Sequence, residues 1–338
     1  MKDITKEQSK MLKGIAIIFM LCLHLYNTTN YSNLYTPLVL IKGYPITYYL
    51  SFICDACVPI YCFCAGYAAY LLKDQSKEKK RNRLIKLMVT YWIILGFTCI
   101  AGLVTGNTNI PHSFITFIGN ALLYNITYVG AWWFMQTYVI LTLCSKLFIK
   151  ITENINKVIV LLFSLVVYVI AYYFRIIHPI ETPINIVNYI INALVLVGTS
   201  QLLYVVGIYF CKDKILSDIK GNVDHFNIIG IIMMILSVFI HMIIKTMMLA
   251  PFTGLLFIVG FLLLDLSKSY IEKILLFFGK HSTNIWLVHM QFYMIFCSKL
   301  VFATHTVVGC FAILLVCCIA CSYIITFLTE IINKLLII

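Results

Sequence analysis

The sequence predicts an all-α polytopic membrane protein with about ten transmembrane helices, and three observations lead to that fold class. Hydrophobic residues make up 62% of the chain and charged residues 11%, with a mean hydropathy of +0.96. Soluble domains carry about 25% charged residues, so water cannot be the main solvent of this chain. Apolar stretches of about 17 to 25 residues, long enough to cross ~30 Å of hydrocarbon as helices, recur between short polar loops. The third observation is that basic residues collect in alternate loops.

The first span follows a lysine-rich start and lacks a small-residue cleavage site, so we expect a retained helix rather than a signal peptide. The ten predicted spans are residues 11–28, 46–72, 87–105, 131–150, 157–175, 190–211, 227–245, 248–266, 282–302 and 306–328. They leave almost no chain for anything else. We therefore expect one membrane domain over 1–338, with its core at 10–330 and no separate soluble domain.

The basic residues predict the orientation of the helices. If the N-terminus is cytoplasmic, all but four of the 25 lysines and arginines fall on the cytoplasmic side; the exceptions are Lys42, Arg175, Lys245 and Lys299. Positively charged loops resist translocation, so both termini are expected in the cytoplasm. The net charge of +12 then reflects orientation and contact with anionic membrane lipids, and it gives no reason to expect nucleic-acid binding. Of the two long outer segments, 106–130 and 176–189, the first has an apolar middle suited to lying on the membrane or re-entering it.

Polar side chains inside the predicted spans are the candidates for function. A charged group there costs about 2.5 to 3.5 kcal/mol on insertion scales, so each needs a partner, a cavity or a role. Lys13 and His24 are eleven residues apart on one helix, which places them ~20° apart around its axis and ~16 Å apart along it. Counted from basic anchors, His289 and Gln136 lie ~13 Å and ~15 Å into the membrane, at a depth similar to that of His24. The full set is Lys13, His24, Asp55, Gln136, His241, Asp265 and His289.

His24 and His289 together are the strongest catalytic candidates. A neutral imidazole can act as a general base near pH 7, which an aspartate or lysine does only after a large pKa shift. Asp55 is a candidate to orient and charge-stabilise a histidine, although that pairing requires a tilted helix. For His241 or Gln136 alone, the favoured interpretation is a core side chain hydrogen-bonded to a neighbouring helix.

A basic stretch from Lys73 to Lys86 precedes the third span. The ordinary explanation of this stretch is that its positive charges set the orientation of the neighbouring helices in the membrane. Arg83 and Lys86 differ from the rest because a spacing of three residues places them on one helix face at the membrane boundary, where they are suited to clamp phosphate groups. A phosphorylated cytoplasmic donor would fit them.

Several of these residues resemble the acyltransferase-3 family of integral membrane acyltransferases. Lys13-Gly14, followed by His24, resembles the basic residue, glycine and histidine of the family's first helix. Arg83-x-x-Lys86 resembles its Arg-x-x-Arg motif. Further matches are the run 58–67, which has Ala65 where the family has serine, together with Trp132-Trp133-Phe134, the segment 279–282, the segment 285–287 and His289. The resemblance covers residues 10 to about 330.

The resemblance implies O-acetylation of surface glycans or related molecules in the cell membrane, with acetyl-CoA or another acyl-CoA entering from the cytoplasm. His24 is then expected to be the general base or to carry the acyl group briefly, and the sequence leaves both open. Gln136 or His289 is expected to stabilise the oxyanion, with Lys13 and Asp55 also in the catalytic set. Arg83, Lys86, Lys13 and Trp133 are expected to bind the donor, and no metal is indicated.

Two other classes of protein remain open from the sequence. A multi-pass secondary transporter of a small polar or anionic solute also places histidines at mid-membrane, but such transporters usually show paired helices broken by Gly or Pro. A non-catalytic scaffold accounts for the hydrophobicity but leaves Lys13, His24 and the Arg83 to Lys86 pair unexplained. The acceptor molecule and the oligomeric state are not encoded in any motif.

Overall fold

The computed structural model describes residues 3–222 and 224–336, and nearly all of their regular secondary structure is helical. Lys2, one of the basic residues behind the predicted orientation, lies outside them. The first helices are α1 Lys6–Tyr26, α2 Ile46–Ser51, α3 Cys57–Leu71, α4 Lys77–Thr105, α5 Phe114–Ala121, α6 Trp133–Leu143, α7 Ser145–Asn154 and α8 Lys157–Tyr172. The others are α9 Asn185–Lys212, α10 Ile215–Asn222, α11 Phe226–Ile243, α12 Ala250–Leu263, α13 Tyr270–Met290, α14 Ser298–Val301 and α15 Val307–Leu335.

Short irregular elements join these helices. Two-residue strands, β1 Leu40–Ile41 and β2 Tyr44–Pro45, pair antiparallel in the segment after α1. Turns of 3-10 helix occupy Ile53–Ala56, Gly130–Trp132 and Met247–Leu249, and π-helical turns occupy Tyr173–Ile177 and Gln291–Phe296. Single π-helical turns are frequent at functional sites, which draws attention to the second of these, directly after α13.

Within the described residues, seven helical stretches are long and apolar enough to cross a membrane, and they coincide with seven of the ten predicted spans. They are Lys6–Tyr26, Ile46–Leu71, Lys77–Thr105, Lys157–Ile177, Asn185–Lys212, Phe226–Ile243 and Val307–Leu335. The predicted span 131–150 is a pair of helices bent by 54°, and the apolar helix Met247–Leu263 is shorter than a full span. The fold class is therefore all-α, with at least seven helices of transmembrane character.

Two predicted spans have different boundaries in the structure. The span placed at 282–302 begins at Tyr270 and ends at Met290, because Glu272, Lys273 and Lys280 in its first half mask the helix from a hydropathy count. The span placed at 248–266 ends at Leu263, which leaves Asp265 exposed in the following turn.

Asp265 is therefore a turn residue and no intramembrane charge. The backbone N–H and the hydroxyl of Ser267 donate to its Oδ1 at 3.0 and 2.6 Å. These two bonds favour the carboxylate and hold the pKa of Asp265 below its usual value.

The described chain divides into two compact units, each assembled from three segments. Unit 1 contains residues 3–23, 49–73 and 137–280, and unit 2 contains residues 24–48, 74–136 and 281–336. Unit 1 is centred on the packing of α3 against α9, and unit 2 includes the packing of α4 against α15. A chain that alternates between units in this way cannot be cut at one linker to separate them.

The segment after α4 folds back along that helix within unit 2. Tyr91 donates its hydroxyl to the carbonyl of Asn120 at 2.7 Å, and the indole of Trp92 donates to the carbonyl of Ala121 at 2.9 Å. Tyr91 lies fourteen residues before the end of α4 at Thr105, or ~21 Å along the helix. The end of α5 therefore sits beside the middle of α4, as expected for a re-entrant segment rather than for one that lies on the membrane surface.

Asn120 holds this re-entrant segment closed. Its side chain is fully buried, and its Nδ2 donates to the Thr127 hydroxyl at 3.0 Å. Its Oδ1 accepts the backbone N–H groups of Thr127 and Tyr128 at 3.1 and 3.2 Å. Irregular backbone is tolerated at membrane depth only where its polar groups are paired inside the protein, and Asn120 provides that pairing.

Candidate active site

Three aromatic side chains of unit 2 meet at the end of α13, and two of them are the histidines that the sequence singles out. The ring centroids of His24 and His289 are 4.9 Å apart. Tyr293, in the π-helical turn after α13, stacks on His289 at 6.1 Å with an interplanar angle of 14°, and its ring lies 6.0 Å from that of His24. The Tyr293 hydroxyl is 3.5 Å from Nδ1 of His24. We call His24, His289 and Tyr293 the histidine cluster.

The two histidines have different access to their surroundings. The side chain of His24 is half-buried, whereas His289 has no exposed surface. Nδ1 of His289 lies 2.7 Å from the carbonyl oxygen of Trp286, so the ring donates its Nδ1–H to that acceptor. The neutral ring then carries its lone pair on Nε2, an atom that is buried without a hydrogen-bond partner among the described residues. Of the two histidines, His24 is the one that a substrate can touch.

A reciprocal pair of indole hydrogen bonds fixes the part of α13 that carries His289. The indole N–H of Trp132, which is fully buried, donates to the carbonyl of Leu287 at 2.9 Å. In return the indole N–H of Trp286 donates to the carbonyl of Ala131 at 3.2 Å. Buried indoles usually find such an acceptor, and here the two bonds tie the start of α6 to α13.

Gln136 and Trp133 lie on α6, close in sequence to this pair of bonds. The side-chain amide of Gln136 donates to the carbonyl of Leu123 at 2.7 Å, which uses one of its two N–H groups on the re-entrant segment. Trp133 packs its ring against Phe134, with centroids 5.6 Å apart. Both side chains are partly exposed, so neither is sealed in the core.

Arg83 and Lys86 lie in the first turns of α4, and both are exposed. The guanidinium of Arg83 donates to Oε1 of Gln75 at 2.7 Å. Helical geometry places the two side chains about 60° apart around α4, so they share one face at its N-terminal end.

The remaining sequence-predicted residues belong to unit 1. Lys13 is half-buried on α1. Asp55 is buried in the 3-10 turn Ile53–Ala56, and its Oδ2 lies 3.9 Å from Nε2 of His241. The histidine beside Asp55 is therefore the one for which the sequence favoured an ordinary core role.

Tyr293, Trp132 and Asn120 are the residues of this region that sequence reasoning missed. Tyr293 follows His289 by four residues, a spacing that places two side chains on one helix face and was available as a signal. Trp132 was noted only as part of a motif. Asn120 lies in an irregular segment with no periodicity to place it.

Within the described ranges, no group of three or more His, Cys, Asp or Glu side chains is placed to hold a metal ion. The polar interior of unit 2 includes imidazole, phenol, indole, amide and hydroxyl groups. Such a set can accept, donate and orient protons.

The fold is that of a polytopic helical protein of the membrane, and the histidine cluster lies within its unit 2. The chain belongs to the acyltransferase-3 family: the family model described as an acyltransferase domain matches residues 8–327. No curated protein and no solved structure matches the chain. The protein is accordingly a membrane acyltransferase, and its membership of this family does not favour a secondary transporter.

Proposed function

We propose that this protein transfers an acetyl group from acetyl-CoA to a hydroxyl group of a cell-surface or lipid-linked glycan. The reaction joins the acetyl carbon to the acceptor oxygen, breaks the thioester and moves the hydroxyl proton to the departing thiolate of CoA. The observation that supports it is the half-buried His24 held against His289 and Tyr293. The same proposal places the protein in the plasma membrane.

His24 is the proposed general base. To accept a proton at Nε2, its neutral ring must carry hydrogen on Nδ1, and the hydroxyl oxygen of Tyr293 at 3.5 Å is the acceptor that favours this tautomer. The ring returns the proton to the thiolate after the acetyl group has moved. An alternative in which Nε2 carries the acetyl group briefly uses the same tautomer.

Gln136 is the proposed oxyanion donor, in preference to His289. The neutral ring of His289 gives its N–H to Trp286, so its Nε2 has no hydrogen to offer a developing negative charge. Gln136 keeps a second amide hydrogen after bonding Leu123, and its side chain is partly exposed. In this proposal, His289 supports His24 by packing.

Arg83 and Lys86 are the proposed binding site for the phosphate groups of CoA. Both are exposed cations on one face of α4, and phosphate favours the charge-assisted hydrogen bonds that a guanidinium makes. Trp133 is proposed to contact the donor through its partly exposed ring. Lys13 is proposed to contribute to donor binding and catalysis, and Asp55 to catalysis, on the sequence resemblance alone.

The test is transfer of radiolabelled acetyl groups from acetyl-CoA to membrane glycan by the reconstituted protein. His24→Ala is expected to lower the rate by about 10²- to 10⁴-fold, the usual contribution of a general base. The matched control is His112→Ala, which removes an exposed histidine outside the cluster. Equal transfer by wild type and His24→Ala would remove His24 from catalysis, and no transfer by folded wild type would remove the proposed acceptor class.

A further inference from the structure

A second pair of titratable side chains lies in unit 1, and the histidine cluster does not include it. Asp55 and His241 are both buried, with side chains 5% and 0% exposed, and Oδ2 of Asp55 lies 3.9 Å from Nε2 of His241. Asp55 sits where the long helical stretch Ile46–Leu71 is interrupted by a 3-10 turn. A broken helix at membrane depth is tolerated where it serves an internal site.

The hydrogen bonds around His241 determine which of its nitrogens carries hydrogen. The hydroxyl of Thr253 donates to the carbonyl of Leu249 at 3.0 Å, so its single hydrogen is already used. Nδ1 of His241 lies 2.9 Å from that same hydroxyl oxygen and must therefore donate its own hydrogen to it. In the neutral ring this leaves a lone pair on Nε2, the atom that faces Asp55.

An ionised Asp55 beside a neutral His241 would place two hydrogen-bond acceptors against each other. Nε2 has no hydrogen-bond partner among the described residues, and a buried polar group left in that state costs about 1–3 kcal/mol, more when it is charged. A single proton on the pair removes this cost. The pair is then either a neutral Asp55 carboxylic acid facing a neutral imidazole or an Asp55 carboxylate facing an imidazolium.

We propose that Asp55 and His241 form a buried proton-binding site, in which the pair holds one proton, carried on Oδ2 of Asp55 or on Nε2 of His241. The bound proton makes the pair electrically neutral, and its loss leaves one negative charge in the interior of unit 1. This site is separate from the histidine cluster and does not depend on the proposed acetyl transfer.

Among the described residues, few other titratable groups surround the pair, so Asp55 and His241 themselves determine whether it holds a proton. The titratable neighbours of Asp55 are Cys54 in the same 3-10 turn and Cys57 at the start of α3, and Cys22 of α1 contacts Cys54. His241 is the one titratable residue of α11, and α12 has none. The backbone of Thr246 also lies near the imidazole, and the ammonium group of Lys245 lies over the Tyr49 ring, 4.2 Å from its centroid.

The experiment compares equilibrium unfolding of the wild type and Asp55→Asn in mixed detergent micelles between about pH 7 and pH 9. Above the ordinary pKa of histidine, about 6.5, the unfolded chain holds neither proton, whereas the folded pair keeps one. Wild-type stability should therefore fall as pH rises. Relative to Asp55→Asn, whose amide does not titrate, the folding constant of the wild type should fall by about tenfold per pH unit.

Asp265→Asn is the matched control, because it replaces an exposed aspartate outside the helices and should keep the wild-type slope. If Asp55→Asn does not fold, Asp55→Leu combined with His241→Leu removes both polar groups and provides the proton-free reference. A wild-type slope equal to that of the proton-free variant would overturn the proposal, and the excess slope of one proton would support it.

Discussion

His24 and His289 are chemically identical side chains whose surroundings give them different capacities. His289 is enclosed on all sides and spends its N–H on Trp286, which suits a residue that holds its neighbour in place. His24 keeps accessible surface, and its hydrogen-bond contact with the Tyr293 hydroxyl is long, at 3.5 Å, so a proton can be gained or lost without breaking a strong bond. Accessibility of the side chain, rather than residue type, therefore distinguishes the proposed base, His24, from His289.

Arg83 gives the residue-scale prediction. Arg83→Ala should raise the Kd for acetyl-CoA by about 10- to 100-fold, since a hydrogen bond to a charged group contributes about 1.5–3 kcal/mol. The rate at saturating donor should stay near that of the wild type, because the proposed role is in binding. Isothermal titration and steady-state kinetics measure the two quantities separately.

Arg81→Ala is the control for that experiment. It removes the same charge from the same exposed turn of α4, but a spacing of two residues points Arg81 to a different face of the helix. If both variants weaken donor binding equally, general attraction to a basic loop explains the effect, and Arg83 has no specific place in the site.

Glycines decide the contact between α3 and α9 at the scale of elements. A Cβ on Gly66 would collide with the backbone carbonyl of Tyr204, and one on Gly207 would collide with that of Phe63. The two helices therefore approach closely through a small residue on each, the arrangement by which membrane helices pack without a hydrophobic driving force between them.

Gly207→Ala should destabilise the protein by about 1–3 kcal/mol, the usual cost of overpacking, because a backbone carbonyl cannot move aside. Gly96→Ala is the matched control in a long helix, since a Cβ there meets nothing within 4 Å. Alanine is the better helix former, so this variant should be neutral or stabilised by up to about 1 kcal/mol. Unfolding in mixed micelles gives both values, and equal effects at the two positions would contradict the close approach of α3 and α9.

Hydropathy predicted most of the helices, and it misplaced two for physical reasons. Seven apolar stretches became helices of spanning length because uninterrupted apolar sequence leaves the backbone no other way to pair its polar groups. α13 was misplaced because charged residues lie on its first turns, and its end was hidden because a π-helical turn has no sequence signature as plain as Pro or Gly.

The candidate site was predictable only in part, for a related reason. Counting the helical rise placed His24 and His289 at a similar depth, because both lie on regular helices. The same method could not find Asn120 or the fold-back of its segment, since irregular backbone has no fixed rise. Nor could it show that Asp55 faces His241, because the facing of two helices depends on packing.

At the scale of the whole molecule, the number of membrane crossings determines the side on which the C-terminus lies. The seven spanning helices, the bent pair 130–154, the shorter helix Met247–Leu263 and α13 add up to ten if each crosses once. With ten crossings, an even number, both termini would share one side, and the distribution of lysine and arginine predicts that this side is the cytoplasm. α13 is the crossing that its composition supports least, because Glu272, Lys273 and Lys280 all lie within it.

Reporter fusions on the two sides of α13 test this count directly. Green fluorescent protein fused in the loop 264–269 should fluoresce in the cytoplasm, and alkaline phosphatase fused in the loop 303–306 should be active outside. A fusion in the loop 74–76, before the basic first turns of α4, is the cytoplasmic control because its neighbouring charges resist translocation. If phosphatase at 303–306 is inactive while the control behaves as expected, α13 does not cross. The chain would then have nine crossings, and its C-terminus would lie outside.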